Sequence, residues 1–188
     1  MHTTRDLLLD AAAEAVLSGA AWDKLRMLDV ARGAGVSRQT LYYEFGSKDA
    51  LAQALAMREA ERYMVGATAA MVGHEGSPGR AVGAATEFTL TEAASNPLLK
   101  AVLTDDSGGL LPFLTTRSEA LLTAAREHCA AYLSEHWPEL PAERVRFVAD
   151  AVNRLTLSHL VLPGGRPAQV AADIARLVDA LLPGSPTA

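Results

Sequence analysis

Cysteine is almost missing from this chain: Cys129 is the single thiol in 188 residues. An internal disulfide is therefore excluded, and a lone thiol fits a reducing compartment. Aromatic residues are scarce at 5%. Runs of β-branched and aromatic residues bounded by turn signals are lacking, which argues against a sheet. No stretch of about 18 uninterrupted apolar residues occurs, so no membrane span is expected. A basic start followed by an apolar run is missing too, because Asp6, Asp10 and Glu14 interrupt the first helix-like segment, so no signal peptide is read there. A cytoplasmic protein without membrane association is the expectation.

Catalytic and metal-binding signatures are equally thin. His74, His128, His136 and His159 are scattered, with no i, i+4 pair and no neighbouring glutamate in zinc-protease arrangement. Cys129 follows His128 directly, so on a helix their side chains diverge. Asp105-Asp106 ahead of Ser107-Gly108-Gly109 reads as a turn rather than a metal site. Neither a phosphate-cradling glycine loop nor a nucleophile elbow is present. No enzyme, cofactor or metal is expected. Positive charge is also in short supply. The formal net charge is −5, and residues 1–62 hold eight Lys/Arg against nine Asp/Glu. Any nucleic-acid binding must then depend on where the cations sit rather than on bulk charge.

What the chain does have is alanine, leucine and valine, which dominate a hydrophobic content of 49%. Alanine and leucine are strong helix formers, so the composition favours an all-α fold. Helical periodicity and breakers place helices at about 4–18, 25–33, 37–43, 47–72 and 77–95, a short one after Asn96-Pro97, then about 112–136, 141–161 and 167–182. Residues 104–111 read as a loop. That is about nine helices. Residues 1–46 form a small three-helix cluster, and 47–188 a larger helical bundle.

The informative stretch runs from Met27 to Tyr43. Ala31 supplies the small residue that two steeply crossing helices need where they touch, and Gly35 supplies the left-handed turn between them. Val36 and Leu41 point inward. The other face of the third helix carries Ser37, Arg38, Gln39, Thr40, Tyr42 and Tyr43, side chains able to reach base edges or phosphates. Trp22 is read as packing behind this pair, and Phe45 as core.

These residues, with Asp10-Ala11-Ala12, Gly19, Trp22, Asp29-Val30-Ala31, Ala34-Gly35-Val36-Ser37, Thr40-Leu41-Tyr42 and Phe45-Gly46-Ser47-Lys48-Asp49-Ala50-Leu51, resemble the TetR family of transcriptional regulators. The resemblance spans roughly Leu8 to Leu51. It implies a helix-turn-helix DNA-binding domain followed by a ligand-binding, dimerising helical body. It places Arg38, Gln39, Thr40, Tyr42 and Tyr43 on the recognition helix, and makes Lys48 a phosphate-contacting lysine beside a helix N-terminus. Three positions depart from the family pattern. Gln39 stands where a small residue is common, and a glutamine there can hydrogen-bond an adenine. Glu44 replaces an aromatic residue, removing a phosphate contact. Leu25-Arg26 replace a threonine pair, so Arg26 is the expected substitute for a backbone contact.

The resemblance also implies a homodimer formed by the last two long helices, with Val148, Val152 and Leu155 on one and Val170, Ile174, Leu177, Val178 and Leu181 on the other. Such a stripe equally suits a helix buried in its own core. A two-fold dimer implies a palindromic double-stranded DNA operator, with recognition helices about 34–36 Å apart. Effector-lining candidates in the body are Met64, Phe88, Leu103, Phe113, Arg117, Asn153 and His159. The apolar bias points to a hydrophobic small molecule whose binding releases the DNA. Two alternatives stay open: a DNA binder without an effector, and a helical ligand-binding or interaction protein whose reading head does not function.

Overall fold

The computed structural model describes residues 2–74, 76–104, 110–115 and 117–182, with backbone alone at 101–104 and 113–114. The described residues form ten α-helices, one 3-10 turn and no strand, in keeping with the all-α expectation. They are α1 (Thr4–Leu17), the 3-10 turn Trp22–Lys24, α2 (Met27–Gly33), α3 (Arg38–Phe45), α4 (Lys48–Met71), α5 (Pro78–Ser95), α6 (Pro97–Thr104), α7 (Leu111–Leu114), α8 (Glu119–His136), α9 (Ala142–Val161) and α10 (Pro167–Leu181).

Local chemistry accounts for the helix starts. At α1, Thr3 and Asp6 form a capping box: the Asp6 N–H donates to Thr3 Oγ1 at 3.1 Å and the Thr3 N–H donates to Asp6 Oδ2 at 2.9 Å. The Thr3 N–H and hydroxyl both donate to the Asp6 carboxylate and hold it below its ordinary range. Ser37, Ser47, Ser77 and Asn96 cap α3, α4, α5 and α6, each accepting from a backbone N–H three residues on at 3.0–3.1 Å.

The single helix expected over 112–136 is divided. Thr115 leaves helical geometry at φ −122° and ψ −88°, ending α7. The Arg117 N–H reaches back to the Pro112 carbonyl, and the Ser118 hydroxyl donates to the Thr115 carbonyl at 2.7 Å. Ser118, which reads as an ordinary helix position, is buried and helps close the break before α8.

The chain divides into two compact units, residues 1–59 with 96–118, and residues 60–95 with 119–188. The first is packed around Leu8, Ala12, Trp22, Val30, Ala31, Leu41, Phe45, Leu51 and Leu55, with Leu98 and Leu110 joining them. The first turns of α4 and the stretch from Asn96 therefore belong with the three-helix head. The second unit is packed around Val82, Leu133, Val145, Val148, Val152, Ile174 and Val178. Here α5 and α10 approach closely through small residues. A Cβ placed on Gly83 would stand 3.0 Å from Ala175 Cβ and 3.2 Å from the Ala171 carbonyl oxygen.

Candidate functional site

In the head, α2 and α3 meet across Ala31, which is fully buried. Gly35 turns the chain at φ +68°, a conformation costly for any residue with a Cβ. The Val36 N–H then closes the bend on the Ala31 carbonyl at 3.0 Å. Leu41 is 0% exposed and Phe45 is buried beside it, so α3 is anchored by one face only. The opposite face carries exposed Ser37, Arg38, Gln39 and Tyr42, half-buried Thr40, and Tyr43 at 88% exposure. Tyr43 therefore contributes little to the packing of the head.

The polar groups on this face are not equally free. Ser37 and Thr40 hydroxyls lie 2.8 Å apart within the cap. Arg38 lies over the Tyr42 ring, 5.2 Å from its centroid, and its Nη2 is 3.5 Å from the Tyr42 hydroxyl. Lys48, half-buried, donates from Nζ to the Asp23 carbonyl at 3.0 Å and sits 5.6 Å from the Trp22 ring centroid. It thus ties the 3-10 turn to the start of α4. Arg26 is paired with Asp29 through two hydrogen bonds of 2.9 and 3.1 Å. This pairing holds the Asp29 carboxyl below its ordinary range. Arg5 was not among the sequence candidates. Its guanidinium stands 4.5 Å from the Phe45 ring centroid and donates to the Glu44 carbonyl at 3.4 Å, placing a cation at the end of α3. No local pattern foretells a contact between residues 39 positions apart.

The body candidates are distributed less tightly. Arg117 belongs to the first unit, exposed and paired with Asp49 at 2.9 Å. Met64, Phe88, Asn153 and His159 belong to the second. The Phe88 ring occupies the space a Cβ would take at Gly66, so α4 and α5 interlock there. Asn153 spends its amide on the Ala149 carbonyl at 2.7 Å and the Ala125 carbonyl at 3.4 Å, bridging α9 to α8. His159 packs against Gly164, with Nδ1 buried and unpartnered among the described residues. The side chains of Leu103 and Phe113 lie outside the described residues, as do Asp105 to Gly109.

The expected interface stripe divides in two. Val148, Val152, Val170, Ile174 and Val178 are each at most 5% exposed within one chain. They pack into the chain's own core, and Leu181 is half-buried against them. Leu155 and Leu177 remain exposed, at 38% and 37%. On and just beyond α9, two apolar residues outside the expected set are far more open: Phe147 at 63% and Leu162 at 77%. Phe147, Ala151 and Leu155 recur at i, i+4, i+8 and share one face of α9. Among the described residues no group of three His, Cys, Asp or Glu stands close enough to hold a metal ion, and no helix is long and apolar enough to cross a membrane.

Comparison with known proteins agrees with this architecture. Residues 8–55 match the family model for bacterial regulatory proteins of the tetR family, and residues 78–180 match that for the bacterial tetracyclin repressor C-terminal domain. The HTH-type transcriptional regulator AlkX of Mycobacterium tuberculosis (strain ATCC 25618 / H37Rv) is 34% identical over 175 residues, covering 93% of this chain and 82% of that protein. The crystal structure of the TetR family repressor AlkX from Dietzia sp. strain DQ12-45-1b, implicated in biodegradation of n-alkanes, superposes with a TM-score of 0.77 at 30% identity, covering 95% of each chain. The R. erythropolis repressor QsdR, at 20% identity and a TM-score of 0.68 over 98% of this chain and 97% of its own, shares the fold.

Proposed function

The chain belongs to the TetR family of bacterial regulatory proteins and is a DNA-binding transcriptional regulator, and from that membership we propose that it is a cytoplasmic homodimeric repressor, released from a palindromic operator by an apolar small molecule. The observation that carries the reading is the face of α3: Arg38, Gln39, Tyr42 and Tyr43 stand exposed on a helix held from behind by Leu41 and Phe45. A helix so presented fits the major groove, and its arginine and hydroxyls suit phosphates and base edges. Arg5, against the last residues of α3, and Lys48, against the 3-10 turn, add cations to the head. The assigned DNA-contacting set is therefore Ser37, Arg38, Gln39, Thr40, Tyr42, Tyr43 and Lys48. Arg26 joins it through whatever hydrogen-bonding capacity its pair with Asp29 leaves.

Dimerisation is assigned to the open apolar face of α9 and its flank, with Phe147, Leu155, Leu162 and Leu177 against a second copy. Those side chains are wet in one chain and bury most cheaply against their own symmetry mates. The effector class follows from the apolar body and from the Dietzia relative's implication in n-alkane biodegradation. Near-complete release requires the effector to favour the DNA-incompetent state by about 5 kcal/mol.

Binding of the purified protein to a pool of duplexes, followed by anisotropy against salt, tests the core of this reading. Phosphate contacts give a log–log slope of about −0.9 per contact. A flat slope, or no bound duplex, refutes DNA binding. Addition of n-alkanes of increasing chain length to the complex tests release, and unchanged anisotropy throughout refutes that effector class.

A further inference from the structure

We propose that Gln39 reads an adenine in each half-site, pairing with it through its carboxamide. This rests on the reading of α3 as the groove-entering helix. Among the polar side chains at the start of α3, most are already engaged. Ser37 Oγ accepts from the Thr40 N–H at 3.0 Å and lies 2.8 Å from Thr40 Oγ1, so both hydroxyls serve the cap. Arg38 and Tyr42 are tied to each other by the stacked guanidinium and the Nη2 to hydroxyl contact. Leu41 is fully buried. Gln39 is exposed, and no hydrogen bond to the described residues holds its amide. Tyr43, four residues on and 88% exposed, shares its side of the helix.

A carboxamide carries one acceptor and one donor side by side. In the major groove adenine offers the complementary pair, the N7 acceptor and the N6 amino donor. Guanine presents two acceptors, so the glutamine carbonyl would face O6 without a proton between them. Cytosine offers only a donor, and thymine an acceptor beside a methyl group. The second helical position is also where recognition helices bring side chains to base edges, near the helix N-terminus. Free geometry, complementary chemistry and position thus coincide on one residue.

The experiment uses the full chain. Duplexes are selected from a random pool by the wild-type protein and by Gln39→Ala, whose fold is checked by circular dichroism. The wild type is expected to yield a two-fold symmetric motif with a fixed adenine in each half. Gln39→Ala is expected to lose that preference and keep the rest. In the selected duplex the adenine is then replaced by 7-deazaadenine, which lacks N7 but still pairs with thymine. Wild-type affinity is expected to fall about tenfold, while Gln39→Ala is indifferent to the replacement. The salt dependence is expected to be equal for both proteins, because no phosphate contact has changed. An unchanged motif with Gln39→Ala, or equal losses on 7-deazaadenine, overturns the assignment and leaves DNA binding intact. Failure of the wild type to select any duplex overturns both.

Discussion

The Asp179 carboxylate accepts a hydrogen bond from the Gly79 backbone N–H at 3.0 Å, so the end of α10 caps the start of α5. The same oxygen accepts from the Ser77 hydroxyl at 3.1 Å. A negative group at a helix N-terminus is favoured by the helix dipole as well as by the bonds themselves. Asp179→Ala is therefore expected to lower stability by about 1–2 kcal/mol. Asp179→Asn keeps an acceptor and should lose less. Urea midpoints at constant slope measure both, and three equal midpoints would show that the cap contributes nothing.

The same helix pair predicts the effect of filling its closest approach. Replacing a mid-helix glycine such as Gly83 by alanine gains about 1 kcal/mol in helix propensity, a gain that Gly79, second in α5, does not share in full. At Gly83 the new methyl would press on Ala175 and on the Ala171 carbonyl, and at Gly79 on the Ala175 carbonyl and Asp179. Overpacking costs about 1–3 kcal/mol and outweighs the propensity gain where backbone must move. Gly79→Ala is expected to be the more damaging, since it also displaces the capping carboxylate. A thermal melt in which either variant gains stability, or in which Gly83→Ala loses more than Gly79→Ala, contradicts this reading.

The head was more legible in the sequence than the body, for a physical reason. Ala31, Gly35, Ser37 and Leu41 each answer a local demand: a close crossing, a left-handed turn, a cap, an inward anchor. Such demands are met within a few residues and leave a readable pattern. The stripe Val148, Val152, Val170, Ile174 and Val178 has the period of any buried helix face, and periodicity alone does not say whose core it fills. Here it fills the chain's own. Phe147 lies outside that stripe, and its exposure follows from which face of α9 the rest of the unit covers. Likewise the break at Thr115 carries no glycine or proline to announce it; the buried Ser118 hydroxyl helps close it from outside the local pattern.

Cys129 is predicted to be a silent reporter of unfolding. Burial pushes its thiol up from the usual 9.0 to about 12. The native protein would then carry far less thiolate at pH 8 than the unfolded chain. Labelling with a disulfide reagent should follow global opening, with a urea dependence that overlays the loss of helix. Because the folded value is raised, the neutral thiol contributes stability that is complete below pH 9 and lost as pH rises toward 12. Rapid stoichiometric labelling of the native protein at pH 8 would contradict the burial.

Two substitutions on α9 separate an interface from a core. Phe147 is 63% exposed and Val152 only 3%. Phe147→Asp is expected to shift sedimentation from dimer toward monomer while each chain keeps its helical signal. Val152→Asp buries a charge without a partner and is expected to unfold the second unit. A Phe147→Asp protein that stays dimeric would move the interface elsewhere on the surface.

Arg38 and Lys48 are expected to fail differently. The Arg38 guanidinium makes its ring contact and its hydrogen bond with exposed Tyr42, so Arg38→Ala should weaken duplex binding, flatten the salt slope by about one contact's worth and leave the melting temperature unchanged. Lys48 also donates to the Asp23 carbonyl and covers Trp22. Lys48→Ala should flatten the slope similarly, but it also removes the partner of a backbone carbonyl, at a cost of about 1 kcal/mol. An ammonium group has three protons, and one is engaged at Asp23, so the others are free to meet a phosphate. If Lys48→Ala lowers both affinity and melting temperature while the salt slope stays at its wild-type value, the lysine holds the turn in place and touches no phosphate.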